Sequence, residues 1–218
     1  MAADAEIGQV ISLLEKEYGQ LTWKPRLEPL DELIYTVLSQ NTSDANSQRA
    51  FERLKDTFKT WEELLDADEA KIGKAIREGG LFRIKAVRLK NILKGILKDR
   101  GALSLDFLKN MEVEEARAWL RRFPGVGPKT AACVLLFSMA KPAFPVDTHV
   151  HRVSRRLGLA PFKSTPEQVA LIMEKITPGK YIYQLHVHMV WHGRRICHAR
   201  KPEFDNCILE QICPKIGV

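Results

Sequence analysis

The chain of 218 residues has no long hydrophobic run. Its longest apolar stretch, Ala131–Ala140, ends at Lys141 and is well short of the roughly 18–20 residues that a membrane-spanning helix requires. The first residues, MAADAEIGQV, contain no basic segment that leads into an apolar core, which is the pattern of a secretory signal. We therefore expect no membrane association and a cytoplasmic location, close to the nucleoid if the source is bacterial.

Cysteine is scarce, and acidic residues are outnumbered by basic ones. Of the four cysteines, Cys133 stands alone, whereas Cys197, Cys207 and Cys213 fall within 17 residues. A cytosolic chain of this size does not need disulfides, so this group of three indicates a metal or cluster site. The 34 Lys and Arg residues exceed the 27 Asp and Glu residues and give a net charge of +7. This excess favours an anionic partner, of which nucleic acid is the commonest.

Strict alternation of apolar and polar residues, the pattern of β-strands, is also absent. Instead, apolar residues recur at spacings of three and four, for example over Leu30–Leu38 and Leu89–Leu97. Capping sequences at Thr60–Glu63 and Thr165–Gln168 mark helix starts. We predict an all-α protein of two helical lobes with a helix-hairpin-helix at the cleft. Residues 27–140 form the predicted helical barrel with the hairpin, and residues 1–26 and 141–218 form the second lobe with a Cys-rich tail.

The segment Arg121–Ala132, RRFPGVGPKTAA, predicts a tight connection between two helices. Val113–Phe123 and Pro128–Ala140 both have helical spacing, so Pro124–Gly127 must reverse the chain. The two glycines permit positive φ and close approach to the backbone, and the next helix begins with unpaired N–H groups at the positive end of its dipole. This combination suits a phosphate oxygen, although helix pairs without a ligand also use glycine. In a basic chain it favours a helix-hairpin-helix that grips a nucleic-acid backbone.

Several segments together resemble one family. FPGVGPKTAACVLLF (123–137) and AFPVDTHVHRVSRRLGL (143–159) resemble the helix-hairpin-helix DNA glycosylases of the endonuclease III type. So do VLSQNTSDANSQRA (37–50), REGGLFRIKAVRL (77–89) and HGRRICHARKP (192–202), so the resemblance extends over most of the chain. It implies a monomeric base-excision repair enzyme that acts on double-stranded DNA containing a damaged base or an abasic site. Backbone contacts to this DNA are then expected from the hairpin residues Gly125, Val126, Gly127 and Thr130.

The resemblance assigns the chemistry to Lys129 and Asp147. Breaking the N-glycosidic bond at C1′ passes through an oxocarbenium-like transition state, which a nearby carboxylate stabilises. A lysine that attacks C1′ as a neutral amine forms a Schiff base, from which β-elimination nicks the strand. In the family, the residues matching Lys129 and Asp147 are the nucleophile and the catalytic carboxylate, and monofunctional relatives lack the lysine. From the residues alone, Lys129 could be an exposed phosphate contact, and Asp147 could be only a helix N-cap.

Lys129 falls in the first turn of the second hairpin helix. At this position the helix dipole and desolvation both disfavour the ammonium form. This is the direction that a lysine nucleophile requires.

The resemblance also implies residues that extrude the target nucleotide and fill the gap it leaves. The corresponding segments are Gln40–Thr42 and Gly79–Phe82. Leu81 on its glycine loop is the candidate apolar wedge, with core packing as the alternative. Gln40 and Asn41 are candidate DNA contacts, and relatives often have glutamine where this chain has Asn41. Basic residues after the wedge and after Asp147 are candidate phosphate contacts, and the sequence does not distinguish those that face phosphate from those that face solvent. They are Arg83, Lys85, Arg88, Lys90, Arg152, Arg155 and Arg156.

Members of the family usually hold a four-iron, four-sulfur cluster through the pattern Cys-x6-Cys-x2-Cys-x5-Cys. This chain matches the pattern at Cys197, Cys207 and Cys213 but has Phe204 at the second position. Three thiolates could hold a three-iron cluster, or a four-iron cluster with a ligand from elsewhere. The nearest side chains that could replace the missing cysteine are Asp205 and His198. We predict an iron–sulfur cluster with an incomplete cysteine set, the alternative being a lost cluster and inert thiols.

Three other potential ligands are assigned to packing. Cys133 falls inside the second hairpin helix, where a buried core residue is expected. His188 and His192 are four residues apart but lack the glutamate of a HExxH zinc motif, so we expect them to serve packing and hydrogen bonds.

The resemblance most often implies a bifunctional glycosylase and abasic-site lyase for oxidised pyrimidines. The segments SQNTSD and AFPVDTHV are also similar to the plant 5-methylcytosine glycosylases, so another modified or mismatched pyrimidine is an alternative. A third hypothesis is a non-catalytic module that uses the hairpin only to bind DNA.

Overall fold

A computed structural model describes residues 2–218, with side chains from residue 7 onward. No β-strand occurs in this described range, and the predicted all-α class is confirmed. None of its helices is long and apolar enough to cross a lipid bilayer. The α-helices are α1 (Ala2–Tyr18), α2 (Pro29–Leu38), α3 (Asp44–Thr57), α4 (Trp61–Asp66), α5 (Glu69–Ala75), α6 (Phe82–Arg100), α7 (Val113–Leu120), α8 (Pro128–Met139), α9 (Thr148–Arg156), α10 (Pro166–Ile176) and α11 (Ile182–Arg195).

The chain divides into two compact units. The first unit, Pro25–Met139, contains α2 to α8. The second unit combines Met1–Lys24 with Ala140–Val218 and contains α1 and α9 to α11.

In the first unit, α8 is apolar around its whole circumference, and every residue from Thr130 to Leu136 is buried. A helix of this kind needs neighbours on all sides. It packs against α2, whose Leu33, Ile34 and Val37 are fully buried, and against α7. The deeply buried α8 therefore fixes the hairpin that immediately precedes it.

An ion pair between the exposed Arg26 and a buried glutamate ties the start of the first unit to its core. Glu32 of α2 is fully buried, and its carboxylate accepts hydrogen bonds from Arg26 Nε (2.8 Å) and Thr36 Oγ1 (2.9 Å). A buried carboxylate requires such partners because its desolvation is costly. The Arg26 guanidinium also covers the rings of Tyr35 and Phe137 at 4.8 and 4.5 Å. These contacts hold the segment before α2 against α8.

In the second unit, α9 and α11 come closest at Gly193. A Cβ at this glycine would lie 2.8 Å from the Cβ of His149, so the approach requires glycine. Tyr18, the last residue of α1, packs edge-on against Trp191 of α11 with ring centroids 6.1 Å apart. The second core therefore joins helices from both ends of the chain.

The two predicted capping sequences differ in the structure. At the start of α10, the Thr165 side chain accepts from the Gln168 amide while the Gln168 side chain accepts from the Thr165 amide, a complete capping box. At the start of α4, Thr60 accepts from the Glu63 amide, but the Glu63 carboxylate accepts from the amide of Lys59 (2.7 Å). The second box is therefore shifted by one residue.

Candidate active site

The hairpin connection between α7 and α8 is a tight turn. The Val126 amide donates to the Phe123 carbonyl (3.0 Å), with Pro124 second and Gly125 third in the turn. Gly125 has φ +85°. Proline followed by a residue of positive φ defines a type II turn, which requires glycine at its third position. The helix before the turn was predicted to extend over Val113–Phe123, but α7 ends three residues earlier, at Leu120, where the chain leaves the helix to enter the turn.

The start of α8 presents amide groups without protein partners. The first helical hydrogen bond runs from Ala131 to the Gly127 carbonyl (3.0 Å). Within the described chain, the amides of Gly127, Lys129 and Thr130 donate to no carbonyl or side chain. The side chain of Lys129 is exposed and forms no ion pair with any described residue. Unpaired amides beside an exposed cation at a helix N-terminus form a site for an anionic group such as phosphate.

Gln40 and Arg88 brace this hairpin. Gln40 Nε2 donates to the Gly125 carbonyl (2.9 Å) and to Thr130 Oγ1 (3.1 Å), and Arg88 Nη1 donates to Gln40 Oε1 (2.5 Å). The Arg88 guanidinium lies against Gly125, where a Cβ would overlap it. Val126 and Thr130 are buried, so any contact that they make with DNA is through the backbone. The structure thus joins Gln40, Gly125 and Thr130, which the sequence treated as separate DNA contacts.

The predicted wedge lies outside the core. Leu81 is 52% exposed and has left-handed backbone angles (φ 47°, ψ 31°), so the core-packing alternative for this residue is wrong. Ile84 and Val87 of α6, three and six residues after Leu81, are also exposed. Asn41 is exposed with φ 54°. The roles of Leu81 and Asn41 in DNA contact stay predictions.

Asp147 is the N-cap of α9. Its Oδ1 accepts from the amides of His149 (2.9 Å) and Val150 (2.8 Å), whereas no described residue hydrogen-bonds to Oδ2. Two hydrogen bonds hold the loop before Asp147. His186 Nδ1 contacts the Pro145 carbonyl (2.8 Å), and the Phe144 amide donates to the Glu174 carboxylate of α10 (2.7 Å). One carboxylate oxygen is therefore fixed and the other is available for chemistry.

Two of the three arginines that follow Asp147, Arg152 and Arg156, bind protein carbonyls. Arg152 donates to the carbonyls of Cys197 (2.8 Å) and Gly193 (2.7 Å). Arg156 is buried and donates to the carbonyl of His198 (2.6 Å). These contacts position the start of the Cys-rich tail, and a phosphate contact by Arg152 stays a prediction.

The three C-terminal cysteines line one pocket of the second unit. Its walls include Cys197, Cys207 and Cys213, together with Phe204 and His192. None of the three forms a disulfide, and burial raises the pKa of the Cys207 and Cys213 thiols. Buried thiols of raised pKa are protonated at neutral pH unless a metal binds them. Phe204 occupies the wall at the position of the missing cysteine and cannot bind iron.

His192 is a potential ligand in this pocket that sequence analysis assigned to packing. It is buried, and its Nε2 lies 3.5 Å from Cys207 Sγ while its Nδ1 lies 3.1 Å from the Tyr18 hydroxyl. Burial lowers the pKa of His192 to about 4, so the imidazole is neutral at neutral pH. In the tautomer whose Nδ1–H donates to Tyr18, Nε2 keeps a lone pair for a metal.

Neither of the substitutes suggested by the sequence lies in the pocket wall. His198 Nε2 pairs with Glu203 (3.3 Å), and Asp205 is exposed. His188 is buried, and its ring packs against the rings of Tyr18 and Trp191, as expected of a packing residue.

Comparisons with known proteins agree with this geometry. Residues 34–178 match the family described as HhH-GPD superfamily base excision DNA repair protein. The putative DNA glycosylase At3g47830 of Arabidopsis thaliana is 41% identical over 172 residues, which are 79% of this chain and 59% of that protein. Endonuclease III of Thermotoga maritima is 37% identical over 186 residues, which are 85% of this chain and 83% of the relative. A solved structure of a trapped covalent intermediate of endonuclease III with DNA has a TM-score of 0.82 at 30% identity, covering 97% of this chain and 96% of that one.

The all-α fold and the hairpin with unpaired amides define a helix-hairpin-helix DNA-binding protein. The chain belongs to the HhH-GPD superfamily of base-excision DNA repair proteins, the family of endonuclease III. It is a DNA glycosylase, and its partner is DNA.

Proposed function

We propose that this chain is a bifunctional DNA glycosylase and abasic-site lyase, with Lys129 as the nucleophile and Asp147 as the catalytic carboxylate. The observation that carries the proposal is the position of Lys129, which is exposed beside the hairpin amides; neither this lysine nor these amides has a partner among the residues that the structure describes. A phosphate bound at these amides brings the neighbouring deoxyribose to the lysine side chain. The similar endonuclease III structure, trapped as a covalent intermediate with DNA, supports the same use of a nucleophile here.

The proposed reaction proceeds in two steps. The neutral amine of Lys129 attacks C1′ as the bond to the base breaks; the base leaves with that electron pair and takes up a proton, and the lysine nitrogen releases one. The bond between the ring oxygen and C1′ then opens to give the Schiff base, from which loss of a C2′ proton expels the 3′ phosphate. Asp147 stabilises the positive charge that develops at the sugar, and its fixed orientation means that little reorganisation is needed.

Borohydride trapping tests this function. A duplex with an abasic site, incubated with the protein and borohydride, should give a covalent adduct that disappears in Lys129→Ala. Lys163→Ala, which removes another exposed lysine, should trap as the wild type does. DNA binding without trapping would instead support the non-catalytic module.

For the substrate we propose oxidised pyrimidines, as the resemblance to endonuclease III implies. The alternative is another modified or mismatched pyrimidine, such as 5-methylcytosine. A panel of duplexes that each carry one such base separates these substrates by the rate of base release.

We also propose that the pocket of Cys197, Cys207 and Cys213 holds an iron–sulfur cluster, with His192 as the fourth ligand. No group of three or more His, Cys, Asp or Glu side chains in the described range is placed to hold a single metal ion. That argues against zinc, which draws its ligands to one point. A cluster differs because its ligands bind different iron atoms. When bound, the cluster would cross-link the tail to α11 and supply folding free energy.

Iron and sulfide analysis tests this cofactor. Freshly purified protein should contain both elements and show the broad visible absorbance of a cluster. Cys207→Ser should remove this absorbance, and His192→Gln should change its spectrum. Colourless protein without iron would refute the proposal.

A further inference from the structure

The largest fully buried side chains of the protein include a lysine, Lys85 of α6, which is 1% exposed. No described residue forms an ion pair with it, and the charge that acts on it is that of Arg88, another cation. Burying an ammonium group without a carboxylate is costly unless other acceptors replace water. The buried ammonium group of Lys85 therefore needs hydrogen-bond acceptors within the protein.

The acceptors of Lys85 are two backbone carbonyls at the ends of helical turns. Its Nζ donates to Leu38, the last residue of α2 (2.6 Å), and to Gly79, the last residue of the 3-10 turn Arg77–Gly79 (2.7 Å). Carbonyls at a helix C-terminus lack helical partners and carry partial negative charge. They therefore serve as the counter-charge of the ammonium.

These two carbonyls are the points where the candidate DNA-contacting loops begin. Leu38 is followed by Ser39, Gln40 and the left-handed Asn41. Gly79 is followed by Gly80 and the left-handed, exposed Leu81. One buried side chain thus anchors both loops.

Lys85 also fixes the wedge loop from its other side. Its own backbone amide donates to the Leu81 carbonyl (3.0 Å), the first helical hydrogen bond of α6. Gly79 and Leu81 are therefore both bonded to the same residue. A left-handed conformation is unfavourable for a leucine and persists only where the surroundings impose it.

We propose that Lys85 is a positioning residue that holds the loop Ser39–Thr42 and the loop Gly79–Leu81 in one fixed arrangement for opening the DNA helix at the target nucleotide. This inference rests on the proposed function. The sequence suggested Lys85 as a phosphate contact, and its burial shows that it acts through the loops instead.

The test compares Lys85→Met with Lys90→Met. Lys90 lies on the same helix and donates to the Ala67 carbonyl at the end of α4 (2.6 Å), so its replacement removes a similar bond away from both loops. For each variant, affinities for a duplex with a reduced abasic site and for an undamaged duplex are measured at one salt concentration. Lys85→Met should lower the preference for the abasic duplex, which is the ratio of the two affinities, about tenfold. The hairpin contacts to the phosphate backbone do not need the loops, so they should still bind both duplexes. Lys90→Met should keep the wild-type preference, because any contact that Lys90 makes with a phosphate would affect both duplexes alike.

Helix opening gives a second measurement. A duplex with 2-aminopurine next to the abasic site should brighten less with Lys85→Met than with Lys90→Met at saturating protein. Equal preference and equal brightening in the two variants would overturn the positioning role. Absence of borohydride trapping by the wild type would instead contradict the proposed function and not this inference.

If Lys85→Met does not fold, Lys85→Gln provides the comparison, because its amide can still donate to one of the two carbonyls. Hydrogen exchange of the wild type tests the coupling without any variant. The amides of the two loops should become protected together when the abasic duplex binds. Protection of one loop without the other would overturn the proposal.

Discussion

The two units hold their functional groups in different ways. In Pro25–Met139 the hairpin and the loops beside it are braced by side chains of the protein, with Gln40 on the Gly125 carbonyl and Lys85 on two loop carbonyls. In the second unit, the pocket around Cys207 is walled by thiols and by Phe204. The hairpin and its loops are therefore organised by the chain itself, whereas the cluster that we propose would complete the thiol pocket.

Substitutions of Asp147 test whether the second unit also holds a functional side chain in a fixed orientation, as the first unit does at the hairpin. Asp147→Asn should keep the N-cap but lose the charge, and should slow base release by roughly 10²–10³-fold because an oriented electrostatic group is lost. Asp147→Ala should show the same slowing and also lose about 1 kcal/mol of stability with the cap. Single-turnover excision and thermal unfolding measure the two effects. Excision at the wild-type rate by the Asn variant would exclude the catalytic role.

Removal of the proposed cluster is the next largest test, because it should affect only the thiol pocket. Cys207→Ser should lower the unfolding midpoint by roughly 5–10 °C, the shift that about 2–3 kcal/mol produces in a chain of this size. Cys133→Ser, which changes a cysteine of α8, should leave the iron content unchanged. An unfolding midpoint equal to that of the wild type in Cys207→Ser would show that the pocket is complete without metal.

The two hairpin glycines, Gly125 and Gly127, are expected to have different roles in the first unit. Gly125→Ala should cost at least about 1–2 kcal/mol, because φ is +85° and the new methyl group meets Arg88. Gly127→Ala should leave stability nearly unchanged, since nothing lies within 4 Å of its added Cβ and its φ is not positive. It should still weaken DNA binding, because the methyl group obstructs approach to the amides. Chemical unfolding and binding to an undamaged duplex measure the two effects, and equal stability losses would contradict the assignment.

The smallest expected effect is a pH dependence from Lys85. Burial lowers its pKa to about 8, from 10.5 in an exposed lysine. Between these values the unfolded chain binds more protons, so the stability of the wild type should rise with pH relative to Lys85→Met. The difference between the two proteins should change by about 1 kcal/mol between pH 8 and pH 9. Parallel stability curves for the two proteins would show that the Lys85 pKa is not lowered.

Much of the fold follows from local patterns in the sequence. Helical spacing predicts the all-α class, and Pro124 and Gly125 mark the turn that the structure contains, because proline and glycine restrict the backbone directly. Capping by Asp147 is equally local, since its partners are two and three residues away.

Contacts between distant residues were not predictable in the same way. Gln40 contacts a carbonyl 85 positions away, and no short-range pattern encodes that pairing. Lys85 did leave a signal, because it continues the buried stripe of Leu89, Ile92 and Ile96 at helical spacing. A lysine on an apolar face suggests a buried cation, but only the structure identifies its acceptors. His192 was assigned to packing because the sequence lacks the glutamate of a HExxH motif, and its approach to Cys207 depends on how the tail folds back on α11.

Peptide mapping of the borohydride-trapped adduct shows directly whether Lys129 is the residue that attacks the sugar. If Lys129 carries the deoxyribose, trypsin cannot cleave after it, and it does not cleave between Lys141 and Pro142, so the adduct should appear on the peptide Phe123–Arg152. Fragmentation of this peptide should place the added mass on Lys129. An adduct on any other lysine, or on the N-terminal amine, would contradict the account.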